Sequence, residues 1–302
     1  MVNYDIKEGL GQVRPQWLLC LGLCCFSDSL AGVDICQEPT NYSHLSVAYY
    51  KHAESSIERN LGETRQENYD VDLLFTSGNK WVFGAGHRYT ILNVSQLELQ
   101  TNGHLHTFFL PVHRQAQTDR GSFRLSIAPA LSASSNVMQS PGEYTGDALQ
   151  LLAALVWGRQ LSERMSLRYG VCRDHRFGSY KVYPLISMDW QPHPDWLFEL
   201  GFPTSRLSYQ VSKTLSSLLR IGPDGNEWYV KDRALQKQSQ LVYEAVTLEW
   251  AFNWQAHEHF MLTASIGRQL HNRYEVTLLD DSRVRLSSDS VTRIGAALEW
   301  RF

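Results

Sequence analysis

Beyond Phe26 the sequence has no run of 18 apolar residues, so no later segment is long enough to cross a bilayer as a helix. It also lacks spacings such as CxxC or HExxH, and we expect no metal and no cofactor. The net charge is −3 and no basic stripe occurs, which argues against a nucleic-acid partner. Composition alone therefore leaves open a soluble protein and a membrane protein built from strands.

The only sustained apolar stretch near the N-terminus is residues 17–26. Arg14 precedes it, and Ser29-Leu30-Ala31 follows with small residues at the first and third positions, as signal peptidase requires. We expect a secretory signal that is cleaved after Ala31, followed by a single domain over residues 32–302. Residues 1–12 are acidic where a signal should be basic, which suggests a misassigned start. The alternative is a buried N-terminal helix or strand.

Cysteine is scarce, with five in the chain, and cleavage would leave Cys36 and Cys172 alone. In an oxidising periplasm these two side chains can pair, but two cysteines by themselves do not establish a disulfide. In the strand pattern described below, Cys172 falls on the polar face. Whether it pairs with Cys36 stays open at this point.

What the chain has in abundance is alternation of apolar and polar residues with a period of two, the pattern of a strand with two different faces. The last strand shows it most clearly. Its apolar face carries Ile294, Ala296, Leu298, Trp300 and Phe302, and its other face carries Gly295, Ala297, Glu299 and Arg301. The same period recurs in residues 69–76, 81–91, 165–172, 246–254 and 260–267.

Turn-forming residues divide these runs into about fourteen predicted strands. They are 44–55, 66–76, 80–92, 103–114, 121–133, 147–160, 164–174, 180–191, 195–212, 215–222, 226–232, 240–254, 258–270 and 291–302. Pro223-Asp224-Gly225-Asn226 is expected to form a hairpin turn, and Phe202-Pro203 marks a kink or a turn. Residues 56–66, 134–146, 231–239 and 279–290 are expected to be longer loops.

Strand length separates a membrane barrel from a soluble sheet. Several predicted strands have 11–14 residues, whereas a tilted membrane crossing needs about 9–11 and soluble strands average about 5–6. The sequence also ends its last alternating strand on Phe302, a pattern that resembles the C-terminal assembly signal of bacterial outer-membrane proteins. Short segments near residues 215–232 are expected to form an extramembrane hairpin rather than separate crossings. We therefore predict an all-β fold, a closed antiparallel transmembrane β-barrel of about 12 strands, with a range of 10–14.

A further likeness covers about 30 residues. Tyr183 to Pro192 contains a W-x-P turn, and Trp196-Leu-Phe-Glu-Leu-Gly-Phe-Pro203 follows it, with Tyr209 in the next strand. This order resembles an uncharacterised family of bacterial outer-membrane β-barrel proteins, a domain of unknown function. The resemblance implies a barrel and implies no activity.

The function that we expect is non-enzymatic, either a narrow porin-like pore or a structural component of the envelope. Charged residues on the polar faces would point into the lumen, where they line a pore or close it by pairing. The candidate lumen residues are Arg88, Arg168, Glu249, Glu299 and Arg301.

Two alternatives remain. The first is an outer-membrane hydrolase or acyltransferase that acts on lipids, for which a hydrogen-bonded serine–histidine pair with an adjacent carboxylate would be evidence. No G-x-S-x-G motif occurs, and the candidate histidines are His87, His104, His106, His113 and His175. The second alternative is a secreted glycan-binding protein, which a lipid-facing position of Trp81, Trp157, Trp190, Trp250 and Trp300 would argue against.

The expected location is the outer membrane of a Gram-negative bacterium, with the lipid of that membrane as a partner. We expect the barrel-assembly machinery to read the C-terminal strand through Leu298, Trp300 and Phe302. The sequence does not identify a transported solute or an oligomeric state.

This expectation yields a first prediction about Phe302→Ala. Loss of one ring at the end of a strand should cost a few kcal/mol at most, by analogy with core truncations, and a complete barrel should tolerate that. If the assembly machinery reads Phe302, the variant should be strongly depleted from the outer membrane, yet refold in detergent to a heat-modifiable band near that of wild type. Normal outer-membrane levels would contradict the targeting role, and failure to refold would make the ring structural.

Overall fold

The computed structural model describes residues 34–57, 62–78, 80–94, 103–118, 121–139, 148–231, 238–277 and 283–302. The expected signal segment and its cleavage site at Ala31 lie outside these residues. In the described residues no helix is long and apolar enough to cross a membrane.

Seventeen strand segments and one short helix make up the described fold. The first nine strands are β1 (His44–His52), β2 (Ser55–Ser56), β3 (Glu63–Ser77), β4 (Trp81–Val94), β5 (His104–Phe109), β6 (Val112–Thr118), β7 (Gly121–Ser134), β8 (Leu149–Ser162) and β9 (Met165–Asp174). The helix α1 (Ser135–Met138) follows β7. The remaining strands are β10 (Lys181–His193), β11 (Trp196–Phe202), β12 (Ser205–Gln210), β13 (Leu215–Lys231), β14 (Gln238–His257), β15 (Phe260–Thr277), β16 (Arg283–Ser288) and β17 (Val291–Arg301).

The segments form one closed antiparallel barrel. β2 extends β1, β6 extends β5 and β17 extends β16, so the described chain crosses the barrel wall fourteen times in up-and-down order. The sheet closes where β1 pairs with β17, from His44 opposite Arg301 to His52 opposite Arg293. We call the end that carries His44 and Arg301 the terminal mouth, and the opposite end the distal mouth. The predicted fold class is confirmed, and the strand number is at the top of the predicted range.

Two strand assignments from the sequence were wrong. One predicted strand is in fact two and two predicted strands are in fact one, so the total number of strands is unaffected. Residues 195–212, predicted as one strand, are β11 and β12, with the turn at Pro203-Thr204. Residues 215–222 and 226–232, predicted as two strands around a hairpin turn, are the single strand β13, whose residues pair with β14 throughout. The predicted loop 279–290 contains β16.

Gly225 explains why the turn prediction at 223–226 was wrong. A Cβ atom on Gly225 would lie 2.5 Å from the backbone nitrogen of Gly178 and 2.6 Å from the carbonyl oxygen of Arg176. The glycine therefore permits the loop after β9 to cross the strand, which is a close approach of two backbones rather than a reversal of the chain. Pro223 is accommodated because the pairing of β12 with β13 ends at Ile221.

The outward face of the barrel is apolar. Val47, Val71, Phe83, Ile127 and Leu262 are examples of large side chains that the fold leaves exposed on strands distributed around the barrel. A continuous apolar surface of this extent is not stable in water and indicates contact with lipid.

Tryptophans concentrate on this outer face towards the terminal mouth. Trp81, Trp157, Trp190, Trp250, Trp254 and Trp300 are all exposed there. Amphipathic rings at one level of a barrel are typical of the interfacial girdle of membrane barrels. Their outward position disfavours the glycan-binding alternative, which needs them in a cleft.

The halves of β13 and β14 that are nearer the distal mouth bend inward over the lumen. β13 meets β7 at Tyr229 and Ala133, which bypasses the five strands from β8 to β12. We call residues 225–230 and 241–245 the distal cap. Its apolar core joins the cap to the wall and contains Ile57, Leu92, Leu105, Trp228, Val230, Leu241, Tyr243, Ala245, Tyr274, Val276 and Leu286.

This core generates a prediction for Trp228, which is 1% exposed. Trp228→Ala should lower the free energy of unfolding by about 3–5 kcal/mol, because it removes a large buried ring and leaves a cavity. Urea titration of the protein in lipid vesicles measures this loss. The matched control is Trp254→Ala on the lipid-facing surface, which should cost less, and equal losses would contradict a packed cap.

Candidate functional site in the barrel lumen

Strand alternation places one face of every crossing in the lumen, and many of the charged side chains there form ion pairs. The five residues predicted from the sequence are all among them. Arg88 binds Asp70 through Nε and Nη2, both at 3.0 Å. Glu249 is 1% exposed and binds both Arg220 and Arg293 at 2.8 Å.

Arg293 joins two carboxylates into a central ion cluster. Its Nη2 binds Glu249 at 2.8 Å, and its Nη1 binds Asp224 at 2.8 Å. The ring of Tyr50 lies 4.5 Å from the guanidinium carbon. Because the buried charges compensate one another, the cluster holds β13, β14 and β17 together on one side of the barrel.

A second group of charges lies on the wall formed by β9 to β12. Arg168 Nη2 binds Asp189 at 2.6 Å and Glu199 at 2.8 Å, and Arg206 approaches Glu199 at 3.6 Å. These pairs bridge neighbouring strands, so they line the lumen rather than fill it.

The last two predicted residues lie at the terminal mouth. Arg301 Nε donates to Glu299 at 2.7 Å, and the hydroxyl of Tyr42 donates to the same carboxylate at 3.0 Å. Glu299 is buried although it is near the end of the last strand. Tyr42 covers it because the chain before β1 runs inside the barrel.

Residues 34–42 lie within the lumen, and we call this segment the plug. Cys36 is bonded to Cys172 on β9, with Cα atoms 5.8 Å apart, which resolves the question that the sequence left open. Asp34 accepts an ion pair from Arg176 at 2.5 Å. Arg124 donates to the carbonyl oxygens of Cys36, at 2.8 Å, and of Gln37.

The plug packs on the wall through apolar contacts as well. Ile35 and Cys36 are 2% exposed and belong to one buried cluster with wall residues of β7 to β10, among them Leu152, Val156 and Leu185. The plug is therefore held by a covalent bond, ion pairs and apolar burial together. The sulfurs and the Asp174 carboxylate lie close enough to suggest a metal site, but the two sulfurs are joined in the disulfide.

Two cavities flank the plug. The larger, about 490 Å³, reaches from the turn at Glu163 and Arg164 past Arg168 and Glu199 to Pro203 and Thr204. The smaller, about 100 Å³, lies near Arg88, Asp224 and Arg293, below the distal cap. Gln37 and Arg176 border both cavities, so the plug and the loop after β9 separate them.

The W-x-P residues lie at the end of β10 and the L-G-F-P residues lie at the end of β11, so the two motifs bound the first strand of the short β11–β12 hairpin. β11 ends at Phe202, opposite Ile186, while β10 continues to Lys181. The loop after β9 covers the step in the wall, since Phe177 stacks on Phe202 at 5.6 Å and Tyr180 donates its backbone N–H to Glu227.

Several lumen residues were not predicted from the sequence. Arg293 lies on the same face as Glu299, one period before the residues that were assigned, so extending the alternation would have found it. Asp70 follows the same rule on β3. Asp224 and Arg176 could not be found in this way, because one was assigned to a turn and the other is in a loop.

Comparison with known proteins found similar chains among the solved structures alone. No family model and no curated protein matches it. Among solved structures it is similar to an outer-membrane channel from Pseudomonas putida F1, with 10% identity, a TM-score of 0.47, and coverage of 90% of this chain and 100% of that one. It is similar also to the toluene transporter TodX of Pseudomonas putida, with 10% identity, a TM-score of 0.40, and coverage of 87% and 91%.

The porin NanC is a third similar structure, with 7% identity, a TM-score of 0.39, and coverage of 85% of this chain and 100% of NanC. Likeness at this level carries no conclusion about the function of this chain.

The ion cluster generates a prediction for Glu249→Ala. The change leaves Arg220 and Arg293 without their shared buried carboxylate, and we expect a loss of about 3–5 kcal/mol in the free energy of unfolding. The matched control is Glu275→Ala, which also frees two arginines, Arg283 and Arg285, in exposed pairs. This control should cost about 1 kcal/mol or less. Similar values for both variants would refute a cluster that holds the barrel together.

Proposed function

We propose that this protein is a narrow outer-membrane channel that the plug holds closed. The observation that carries the proposal is the cavity of about 490 Å³ that extends from the terminal mouth along the plug. A purely structural barrel has no need of a lumen cavity bordered by a tethered segment. The passage itself requires no catalysis and no cofactor.

The lining favours small polar solutes over apolar ones. Arg164, Arg168 and Arg206 face the larger cavity together with Asp189 and Glu199. Charges of both signs lining one path give weak selectivity between anions and cations. A volume of about 490 Å³ accommodates a small solute or a chain of waters and excludes a folded protein.

The plug is the element that has to move. It occupies the lumen between the two cavities. Its apolar and ionic contacts are non-covalent, whereas the bond between Cys36 and Cys172 is covalent. The disulfide thus keeps the plug attached to β9 while its other contacts exchange. Beyond the plug, a solute must also pass the distal cap.

The cap favours the second candidate function, a closed structural component of the envelope. Its core packs β13 and β14 against β4, β5 and β15, which closes the distal mouth on that side. Conductance distinguishes the two functions, because a structural barrel passes no current with or without its plug.

We therefore predict a low conductance for the oxidised protein in planar bilayers and a clearly higher one for a chain that begins at Ser43. Cys36→Ser should give an intermediate, fluctuating conductance, because Asp34 and Ile35 still hold the plug against the wall. The control is the chain that begins at Ser43 and also carries Glu275→Ala. This substitution alters exposed charge at the distal mouth and should leave the conductance of the shortened chain unchanged. Equal, negligible currents in all variants would support the structural function and contradict the channel.

A further inference from the structure

A serine and two histidines form a hydrogen-bonded chain on the outer wall, away from the lumen. His106 Nε2 lies 2.8 Å from Ser135 Oγ, and His106 Nδ1 lies 3.1 Å from His87 Nε2. His87 is on β4, His106 is on β5, and Ser135 begins α1 directly after β7. Three segments that are distant in sequence therefore bring together a nucleophile, a base and a group that orients the base.

One arrangement of protons satisfies all three residues. If the Ser135 hydroxyl donates to His106 Nε2, then Nδ1 of His106 carries its proton and donates to His87 Nε2. The hydroxyl has a second acceptor, the carbonyl oxygen of His104, but at 3.4 Å that contact is longer. The nearer imidazole nitrogen is thus the better placed to take the proton, as in a serine hydrolase.

Neighbouring aromatic rings hold the two imidazoles in place. His87 stacks on Phe108 with ring centroids 4.2 Å apart and 5° between the planes. His106 stacks on Tyr89 with centroids 4.8 Å apart. Fixed ring planes keep the two hydrogen bonds aligned, which is the preorganisation that acid–base catalysis depends on.

The location indicates the class of substrate. His87 and His106 are partly exposed on the lipid-facing side, beside the exposed ring of Phe108. Ser135 lies at the distal end of β7, where the outer wall meets the distal mouth. An ester bond reaches this position when an amphiphile lies in the membrane with its acyl chains along the apolar wall.

We propose that Ser135, His106 and His87 form a catalytic site that hydrolyses carboxylic esters of membrane amphiphiles. Ser135 Oγ attacks the ester carbonyl carbon, and His106 Nε2 takes the hydroxyl proton as the new C–O bond forms. The ester C–O bond then breaks, and His106 returns the proton to the leaving alkoxide to give an alcohol. Water, deprotonated by His106, then attacks the carbonyl carbon of the acylated serine. The bond from that carbon to Ser135 Oγ breaks, His106 returns the proton to Oγ, and the carboxylic acid leaves, which restores Ser135 and neutral His106.

His87 is a positioning residue in this scheme. Its Nε2 accepts a hydrogen bond from the Nδ1–H of His106. This bond fixes the tautomer in which His106 Nε2 is free to act as a base, a role that a carboxylate fills in the common triad. From the sequence we expected a carboxylate beside such a serine–histidine pair, and in the structure a histidine occupies that position. This activity goes beyond the channel and uses none of the lumen residues.

The lumen provides an internal control. His113 Nδ1 and Ser126 Oγ are also 2.8 Å apart, but both residues are buried, with His113 1% exposed. A reagent in solution or in a micelle has no access to that pair. If the serine–histidine distance alone decided reactivity, both serines would react. If access to the reagent is also required, only Ser135 will react.

The test is covalent labelling of the refolded protein in detergent micelles with an alkyl fluorophosphonate, followed by peptide mass spectrometry. We assign no oxyanion donor to this site. Because one such donor is worth about 10²–10³-fold in kcat, repeated turnover is expected to be slow. Labelling needs only one reaction per molecule and is therefore the more sensitive measurement. The expected result is modification at Ser135, its loss in Ser135→Ala and unchanged labelling in Ser126→Ala.

The histidine variants separate catalysis from structure. His106→Phe should slow labelling of Ser135 by about 10²-fold, the usual contribution of a general base. His87→Phe should also slow it, while His87→Gln, which keeps an acceptor, should restore most of the rate. Heat-modifiability on a gel verifies that each variant is folded.

Hydrolysis of a medium-chain p-nitrophenyl ester in the same micelles should follow the labelling rates across the variants. Ser135 left unmodified in folded wild type, or modified equally fast in His106→Phe, would overturn the proposal. Equal rates in His87→Phe and wild type would overturn the relay through His87. None of these outcomes depends on conductance, so the channel and the esterase stand or fall separately.

Discussion

The pairing of β1 with β17 is the constraint on which the rest of the structure depends. Lipid offers no hydrogen-bond partners, so each backbone N–H and C=O of a crossing strand must be paired within the sheet. The nine residue pairs from His44–Arg301 to His52–Arg293 remove the two free edges that the sheet would otherwise expose. Once the sheet is closed, alternation divides every strand into a lipid-facing and a lumen-facing half.

Closure has a cost in the lumen, since it removes polar side chains from bulk water. The structure offsets this cost by pairing, with Glu249 between Arg220 and Arg293, and Asp70 against Arg88. The plug offsets part of this cost in a second way, because its backbone carbonyl oxygens accept hydrogen bonds from the buried guanidinium of Arg124. A lumen satisfied in this way is narrow, which is why the channel that we propose depends on movement of the plug.

The inner and outer faces of the wall carry different sets of polar groups. Inside, charged pairs and the disulfide border the cavities. Outside, the same β4 and β5 present His87 and His106 to the membrane surface, on the residues that alternate with Arg88 and Thr107. One strand can therefore contribute to both faces without coupling them, because neighbouring side chains point in opposite directions.

Period-two alternation, together with strand length and the terminal Phe302, was enough to predict the barrel and its long strands. The alternation also separates exposed side chains such as Trp300 from buried ones such as Glu299. These features depend on local geometry that every strand shares. Alternation did not predict that Pro223-Asp224-Gly225-Asn226 continues a strand, because turn propensity is local and Gly225 serves a contact with a distant loop. The plug, the bond between Cys36 and Cys172 and the Ser135–His106–His87 chain were decided by the tertiary structure, because each joins residues whose proximity depends on how the closed sheet curves and not on their own neighbours in the chain.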